Sequence, residues 1–283
     1  MKILVTGATG FIGQHIVTRL LTLGHDVITT SRTEKPANSW AGKTTHIPLS
    51  ISETLPKNLF TFFQFPDIVI HLAWSDLTDY YSDSHIEIQL PSQIGFLRNL
   101  ISNGAKSISV AGTCFEYGLQ NGCLREDTPT APVTFYGHAK NSLRQILQFL
   151  QKKYLFSFNW FRYFYMYGAG QHPKALLPQL DTAIENGDEE FKMSGGEQLR
   201  DYLPIEQVAA LTVNAALNGN TEGIINICSG KPVSVRSLVE KQIQERGSAM
   251  KLNLGYYPYP DYEPMAFWGN IKKLKHLIEL KYE

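Results

Sequence analysis

The sequence predicts an α/β protein built on a doubly wound parallel sheet with a smaller α/β lobe, and three observations carry that expectation. An apolar run at residues 1–5 passes through Gly7, Gly10 and Gly13 directly into a helical pattern. Strand-like and helix-like segments then alternate across residues 1–161, which implies right-handed crossovers between parallel strands. After Tyr167-Gly168-Ala169-Gly170 the alternation breaks into short elements punctuated by proline and glycine, the mark of a second lobe.

Each element follows from its local pattern. Residues 11–23 place Phe11, Ile12, Ile16, Leu20 and Leu23 on one helical face, stopped by Gly24. Residues 26–30 are the second strand, followed by a polar loop through Asn38. Residues 44–48 and 67–72 are the third and fourth strands, and the helix between them, 53–65, contains Pro56. Residues 85–103 keep helical spacing through Ile86, Leu90, Ile94, Leu97, Leu100 and Ile101 despite Pro91, and a strand follows at 106–110. Residues 135–153 are a helix and 156–161 a strand. Beyond Tyr167, helices are expected at 176–186, 205–218 and 235–246 and a strand at 223–227. The expected division is a dinucleotide-binding domain over 1–166 and a substrate lobe over 167–283, with segments of the lobe returning to the sheet.

Composition narrows the partners. A chain of 283 residues buries a large core. Lys+Arg and Asp+Glu both number 26, so no global field recruits nucleic acid or an anionic membrane, and an anionic ligand must be held by local groups. The three cysteines, Cys114, Cys123 and Cys228, show no metal-ligand spacing, so no metal is expected and a reducing cytoplasm is the simplest home. No stretch approaches the ~20 apolar residues of a membrane span, and residues 1–5 are too short for a signal-peptide core.

The glycine turn has a chemical use. Gly7 permits a tight turn, Gly10 lets backbone N–H groups approach a pyrophosphate, and Gly13 lets the helix pack closely on the strand. Phosphates held there meet a helix N-terminus, where unpaired N–H groups and the dipole favour anions, with Thr9, Phe11 and Ile12 in the same turn. An acidic residue ending the second strand would bind a ribose 2′-hydroxyl, but this strand ends in Ser31-Arg32. A hydroxyl followed by a guanidinium suits a 2′-phosphate, so the expected cofactor is NADPH/NADP rather than NADH.

Tyr136 and Lys140 stand four apart on a predicted helix and share one face. A cation beside a tyrosine stabilises phenolate, which would lower the Tyr136 pKa and make the phenol a usable acid near neutrality. Lys140 is also placed to bind the nicotinamide ribose. Thr113 follows a strand four residues before Tyr117-Gly118.

These motifs resemble the extended short-chain dehydrogenase/reductase superfamily, the NAD-dependent epimerase/dehydratase group with a Rossmann fold, over nearly the whole chain. The glycine spacing, the segment Ser109 to Gly118 and Tyr136-x-x-x-Lys140 are similar to its glycine motif, its SSxxVYG segment and its YxxxK. The resemblance implies a catalytic triad of Thr113, Tyr136 and Lys140. His71-Leu72-Ala73-Trp74 is similar to the HLAA segment that lines the cofactor groove, with Trp74 replacing a small residue. Ser50 and Ile51 stand near the usual adenine-contacting Asp, and Gln89 where an Asn is common; all three are carried as cofactor contacts. Arg162 to Gln171 and Gly196 to Tyr202 resemble segments of nucleotide-sugar members. From them Arg200 is expected on the nucleotide or diphosphate, with Tyr165 (where Asn is usual), Leu177 and Cys114 as further substrate contacts. Arg162 and Asp201 are expected to be structural partners. The resemblance also implies a homodimer through helices 85–103 and 135–153.

The reaction follows from what is missing. Dehydratase members place Asp-Glu after the catalytic Thr, where this chain has Cys114-Phe115. The cysteine of an epimerase/reductase would fall at Phe115, one residue from Cys114. Ketone reduction needs only hydride and the triad. The expected activity is therefore NADPH-dependent reduction of a nucleotide-activated 4-keto-6-deoxy sugar. The alternatives are a nucleotide-sugar 4-epimerase that retains NAD(P) and a non-catalytic NADP-sensing regulator.

Overall fold

A computed structural model describes residues 1–219 and 222–279. Its first half runs β1 (Lys2–Thr6), α1 (Phe11–Thr22), β2 (Asp26–Thr30), β3 (Thr45–His46), α2 (Leu59–Phe62), β4 (Ile68–His71), α3 (Leu90–Ser102), β5 (Ser107–Thr113), β6 (Gly122–Leu124), α4 (Phe135–Lys153) and β7 (Ser157–Tyr163). The second half adds β8 (Tyr165–Tyr167), α5 (Leu176–Asn186), β9 (Glu190–Lys192), β10 (Leu199–Pro204), α6 (Ile205–Leu217) and β11 (Gly223–Ile227). It closes with β12 (Pro232–Ser234), α7 (Val235–Glu245), β13 (Lys251–Asn253), β14 (Phe267–Gly269) and α8 (Lys272–Glu279).

Seven strands form one parallel sheet in the order β11-β7-β5-β4-β1-β2-β3. Strand order reverses between β1 and β4, and in such sheets a crevice opens at the carboxyl ends of the strands flanking that point. Both faces are covered. Ile16, Val17 and Leu20 of α1 and Val208, Ala209 and Val213 of α6 pack with Ile3, Val5 and Ile70 on one side. Phe96, Leu97 and Leu100 of α3 and Leu143 and Leu147 of α4 pack with Leu4, Val69, Ile108 and Val110 on the other. A separate cluster, with Leu180, Phe191, Val239 and Ile243 among its members, is formed by α5, β9 and α7. Late in the chain β11 joins the sheet by pairing with β7. Among the described residues no helix is long and apolar enough to cross a membrane.

The differences from the sequence reading have local causes. The helix expected at 53–65 contracts to α2, where the Asn58 side chain accepts the Thr61 N–H at 3.0 Å and caps it two residues after Pro56. The helix expected at 85–103 begins as a π-turn, His85–Gln89, because Pro91 has no N–H to donate into that turn. Strands β5 and β7 run on to Thr113 and Tyr163, lengthened by pairing with each other. β6, β8, β9 and β12 to β14 have three residues each, and their partners lie far away in sequence, as when Phe267 pairs with Gly122. Periodicity has nothing to detect in a three-residue strand.

Candidate active site

An elongated cavity of about 510 Å³ runs along the carboxyl edge of the sheet, from β2 past β1 and β4 to β5 and β8. Gly7 carries a φ of +65°, and a Cβ there would come within 2.8 Å of the Ala73 nitrogen; one on Gly13 would approach the Gly7 carbonyl oxygen to 2.2 Å. Glycine is therefore required for the turn to lie against β4 and for α1 to start where it does. Thr9, Gly10, Phe11 and Ile12 line this end, with Ser31, Arg32, Ser50 and Ile51 further along. Arg32 is exposed and makes no ion pair with a described residue. The Thr30 hydroxyl at the end of β2 is buried without a partner and borders the same space. A glycine cradle followed by an unpaired hydroxyl and a free guanidinium fits the phosphates and ribose of a dinucleotide.

Leu72, Ala73, Trp74 and Gln89 form the next stretch of wall. Thr6 ties it to the sheet, its hydroxyl oxygen accepting the N–H groups of Leu72 and Ala73 at 3.1 and 3.3 Å. The same hydroxyl donates to His71 Nδ1 at 2.9 Å, and His71 Nε2 donates to Gln93 at 2.7 Å. Burial, and secondarily the Lys140 charge, push the His71 pKa down to about 3, so the ring is neutral and structural. Gln89 accepts the Ser75 N–H at 3.4 Å and holds the turn after Trp74.

Thr113, Tyr136 and Lys140 meet at the far end of the wall. Thr113 ends β5 and caps a short turn: it accepts the Phe115 N–H at 3.3 Å, while its own N–H donates to Glu116 Oε1 at 3.0 Å. Tyr136 sits in the first turn of α4, with its N–H donating to the Tyr80 carbonyl at 3.0 Å. Its ring stacks on Tyr80 at 5.4 Å and meets the edge of Trp74 at 6.0 Å. Lys140, one turn on, donates to the Ala111 carbonyl at 2.8 Å, and burial pulls its pKa down to about 7 against the pull of Glu116.

The spacing of Tyr136 and Lys140 suggests a lowered phenol pKa, but the structure reverses that sign. Burial, with Tyr80 next, raises it, and the hydrogen bond from the Thr113 side chain offsets only part. The Lys140 ammonium lies 5.9 Å from the Tyr136 ring centroid and is turned to Ala111 and Trp74 instead. Tyr136 is thus held as a proton-bearing acid.

Two expected substrate contacts lie off this cavity. Leu177 is buried in the cluster of α5, β9 and α7 beside Leu180. Arg200, 2% exposed, spends its donors on protein: Nε and Nη2 on Glu263 Oε2 at 3.2 and 2.8 Å, Nη1 on the carbonyls of Leu199 and Met265 at 2.9 and 3.3 Å. Four of the five N–H groups of a guanidinium are then occupied, so Arg200 anchors the segment carrying Glu263 rather than presenting a free fork. Tyr165 does border the cavity and donates to Glu263 Oε1 at 2.5 Å. Cys114 borders it too, its thiol pKa raised by burial and by Glu263, which leaves it a small protonated side chain. Asp201 accepts the N–H groups of Ser229 and Gly230 at 2.6 and 2.8 Å.

The sequence reading passed over Glu116, Tyr80, His85 and Glu263. Glu116 is fully buried and takes bonds from Thr113, Trp160 Nε1 at 2.7 Å and Arg162 Nε at 2.9 Å. The spacing Thr113-x-x-Glu116, that of a capping box, was the available signal. Glu263 had none, lying 63 residues from Arg200.

The chain is similar to known proteins over nearly its whole length. The model of the NAD dependent epimerase/dehydratase family matches residues 3–228. The dTDP-6-deoxy-L-talose 4-dehydrogenase (NAD(+)) of Aggregatibacter actinomycetemcomitans is 32% identical over 278 residues, covering 95% of this chain and 99% of that protein. A UDP-glucose 4-epimerase of Halalkalibacterium halodurans is 26% identical over 308 residues, with 100% and 91% coverage. The solved structure of a UDP-glucuronic acid 4-epimerase from Bacillus cereus in complex with NAD superposes with a TM-score of 0.84 at 25% identity, over 99% of this chain and 91% of that one.

Proposed function

The chain belongs to the NAD dependent epimerase/dehydratase family, and from that premise we propose that it is an NADPH-dependent reductase acting at the C4 ketone of a nucleotide-activated 4-keto-6-deoxy sugar. One observation carries the reaction type: among the described residues lining the cavity, Thr113, Tyr136 and Lys140 converge and no Asp or Glu is present. Dehydration removes a carbon-bound proton and protonates a leaving hydroxyl, which calls for a further acid–base pair. Reduction calls for one proton donor, and the raised Tyr136 pKa keeps that donor loaded at neutral pH. The A. actinomycetemcomitans relative is named for oxidation at C4 of a 6-deoxy sugar nucleotide, the same chemistry in reverse.

A bound nicotinamide supplies the hydride. Tyr136 donates its phenolic proton to the oxygen that becomes the C4 hydroxyl. Thr113 hydrogen-bonds the same oxygen, placing it against the phenol. Lys140, as ammonium, would hold the nicotinamide ribose with the donor that Ala111 and Trp74 leave free. Incubation with NADPH and a panel of 4-keto-6-deoxy sugar nucleotides is expected to consume NADPH in proportion to a C4 alcohol identified by NMR. Tightly held coenzyme that copurifies and interconverts C4 epimers without net NADPH loss would instead establish the 4-epimerase.

For the choice of coenzyme we rely on Ser31 and Arg32, since no carboxylate ends β2 to repel a 2′-phosphate. The 32% identical relative is named for NAD+, which makes the comparison direct. Arg32→Ala is expected to lower kcat/KM for NADPH by about 10- to 100-fold and to leave NADH nearly unchanged, the loss of a charge-assisted phosphate contact. An unaltered NADPH to NADH ratio would remove Arg32 from the site.

A further inference from the structure

The loop from Trp74 to His85 closes on itself through one side-chain relay. Trp74 Nε1 donates to His85 Nδ1 at 3.1 Å, and His85 Nε2 donates to the Asp79 carbonyl at 2.9 Å. Both imidazole nitrogens are therefore committed, which fixes the tautomer and the plane of a fully buried ring. The indole stacks on that ring at an interplanar angle of 27°. So held, it turns one face to the Lys140 ammonium, whose Nζ lies 4.0 Å from the ring centroid, and its edge to Tyr136.

The Lys140 ammonium has three N–H donors. One serves the Ala111 carbonyl, and the indole face covers a second direction. That leaves one for a hydroxyl in the cavity Lys140 borders. We propose that Trp74 is a positioning residue, its indole face fixing the Lys140 ammonium at the nicotinamide end of the cavity and His85 fixing the indole. The assignment rests on the reading of Lys140 as the nicotinamide-ribose contact. An aliphatic side chain of similar reach would fill the space and exclude water, but would offer no negative face to the cation.

The other ionisable groups around Lys140 do not substitute for this contact. Glu116, on the turn after β5, favours the ammonium but is bonded to Arg162 and Trp160. His71, at the end of β4, is neutral. Tyr136, on the same helix, carries its proton. Burial already brings the Lys140 pKa down to about 7, so losing the indole face moves it lower still and the ammonium disappears at lower pH.

The test compares Trp74→Leu with Trp74→Phe by titrating NADPH, without sugar, between about pH 6 and pH 9, and follows kcat/KM for the keto sugar over the same range. Trp74→Leu is expected to move the alkaline limb of NADPH affinity down by roughly 0.5–1 pH unit and to weaken binding about tenfold above neutrality. Trp74→Phe, which keeps an aromatic face, is expected to hold the limb within about 0.3 unit of the parent. Equal shifts in the two variants, or a shift in neither, would overturn the assignment and leave Trp74 as packing. Should the NADPH limb split the variants as expected while no keto sugar is reduced, the proposal stands and the reductase reading fails.

Discussion

Tyr136→Phe is expected to lower kcat for ketone reduction by about 10²–10⁴-fold, the range for loss of a general acid, while NADPH affinity changes little. The asymmetry follows from position. In the proposed reaction the phenol, in the first turn of α4, is the proton donor, and removing one oxygen leaves the stacking on Tyr80 and the N–H bond to the Tyr80 carbonyl in place. The pH profile of the parent separates the roles further. Tyr136, with its pKa raised, remains protonated through neutrality, so kcat/KM for reduction does not decline from loss of the phenolic proton. Lys140, with a pKa of about 7 in the free protein, loses its ammonium as pH rises through that value, so kcat/KM falls on the alkaline side. A Phe variant with near-parental turnover would show that this phenol is not the proton donor, and a profile that rises through pH 7 would show that the Lys140 ammonium is not required.

Glu116→Ala is expected to cost about 3–5 kcal/mol of stability, because it strands a buried charge. Arg162 is 1% exposed and pairs with Glu116 at 2.9 Å, and Trp160 Nε1 and the Thr113 N–H lose the acceptor that both share. Glu116→Gln, which keeps an oxygen for Trp160 and Thr113 but removes the charge opposite Arg162, is expected to fall between the parent and Ala. Urea unfolding monitored by tryptophan fluorescence measures both, as a lower midpoint at constant slope. A loss below about 1 kcal/mol for Ala would mean that Arg162 finds water or another acceptor, and that the carboxylate is not the pivot of this turn. Because Thr113 leaves β5 through the same bond, the folded fraction of Glu116→Ala is also expected to reduce ketones more slowly than the parent.

Local physics made much of this readable in advance. The helix at 135–153 coincides with α4, since Leu143 and Leu147 are buried on the face that also carries Tyr136 and Lys140. The strand at 26–30 coincides with β2, and the helix at 176–186 with α5, stopped by Gly187 in the left-handed conformation. The glycine turn was legible because its requirement is steric and lies within a few residues. The three-residue strands were not, because each is stabilised by a partner elsewhere: β14 needs β6, and β13 needs β9.

What the sequence determined by itself is therefore the parallel sheet, the turn that starts α1, and the placing of Thr113 after a strand and of Tyr136 and Lys140 one turn apart on a helix. Each depends on spacing of a few residues. Which charges are free was decided only by the tertiary structure. Arg200 sits in a segment that resembles a ligand-binding one, yet chain return brings Glu263 onto it. Lys140 and Tyr136 stand at the spacing of a coupled pair, yet burial sets the direction of both pKa values and Trp74 takes the ammonium face. Electrostatic roles depend on solvent exclusion and on groups tens of residues away, and neither is a property of local sequence.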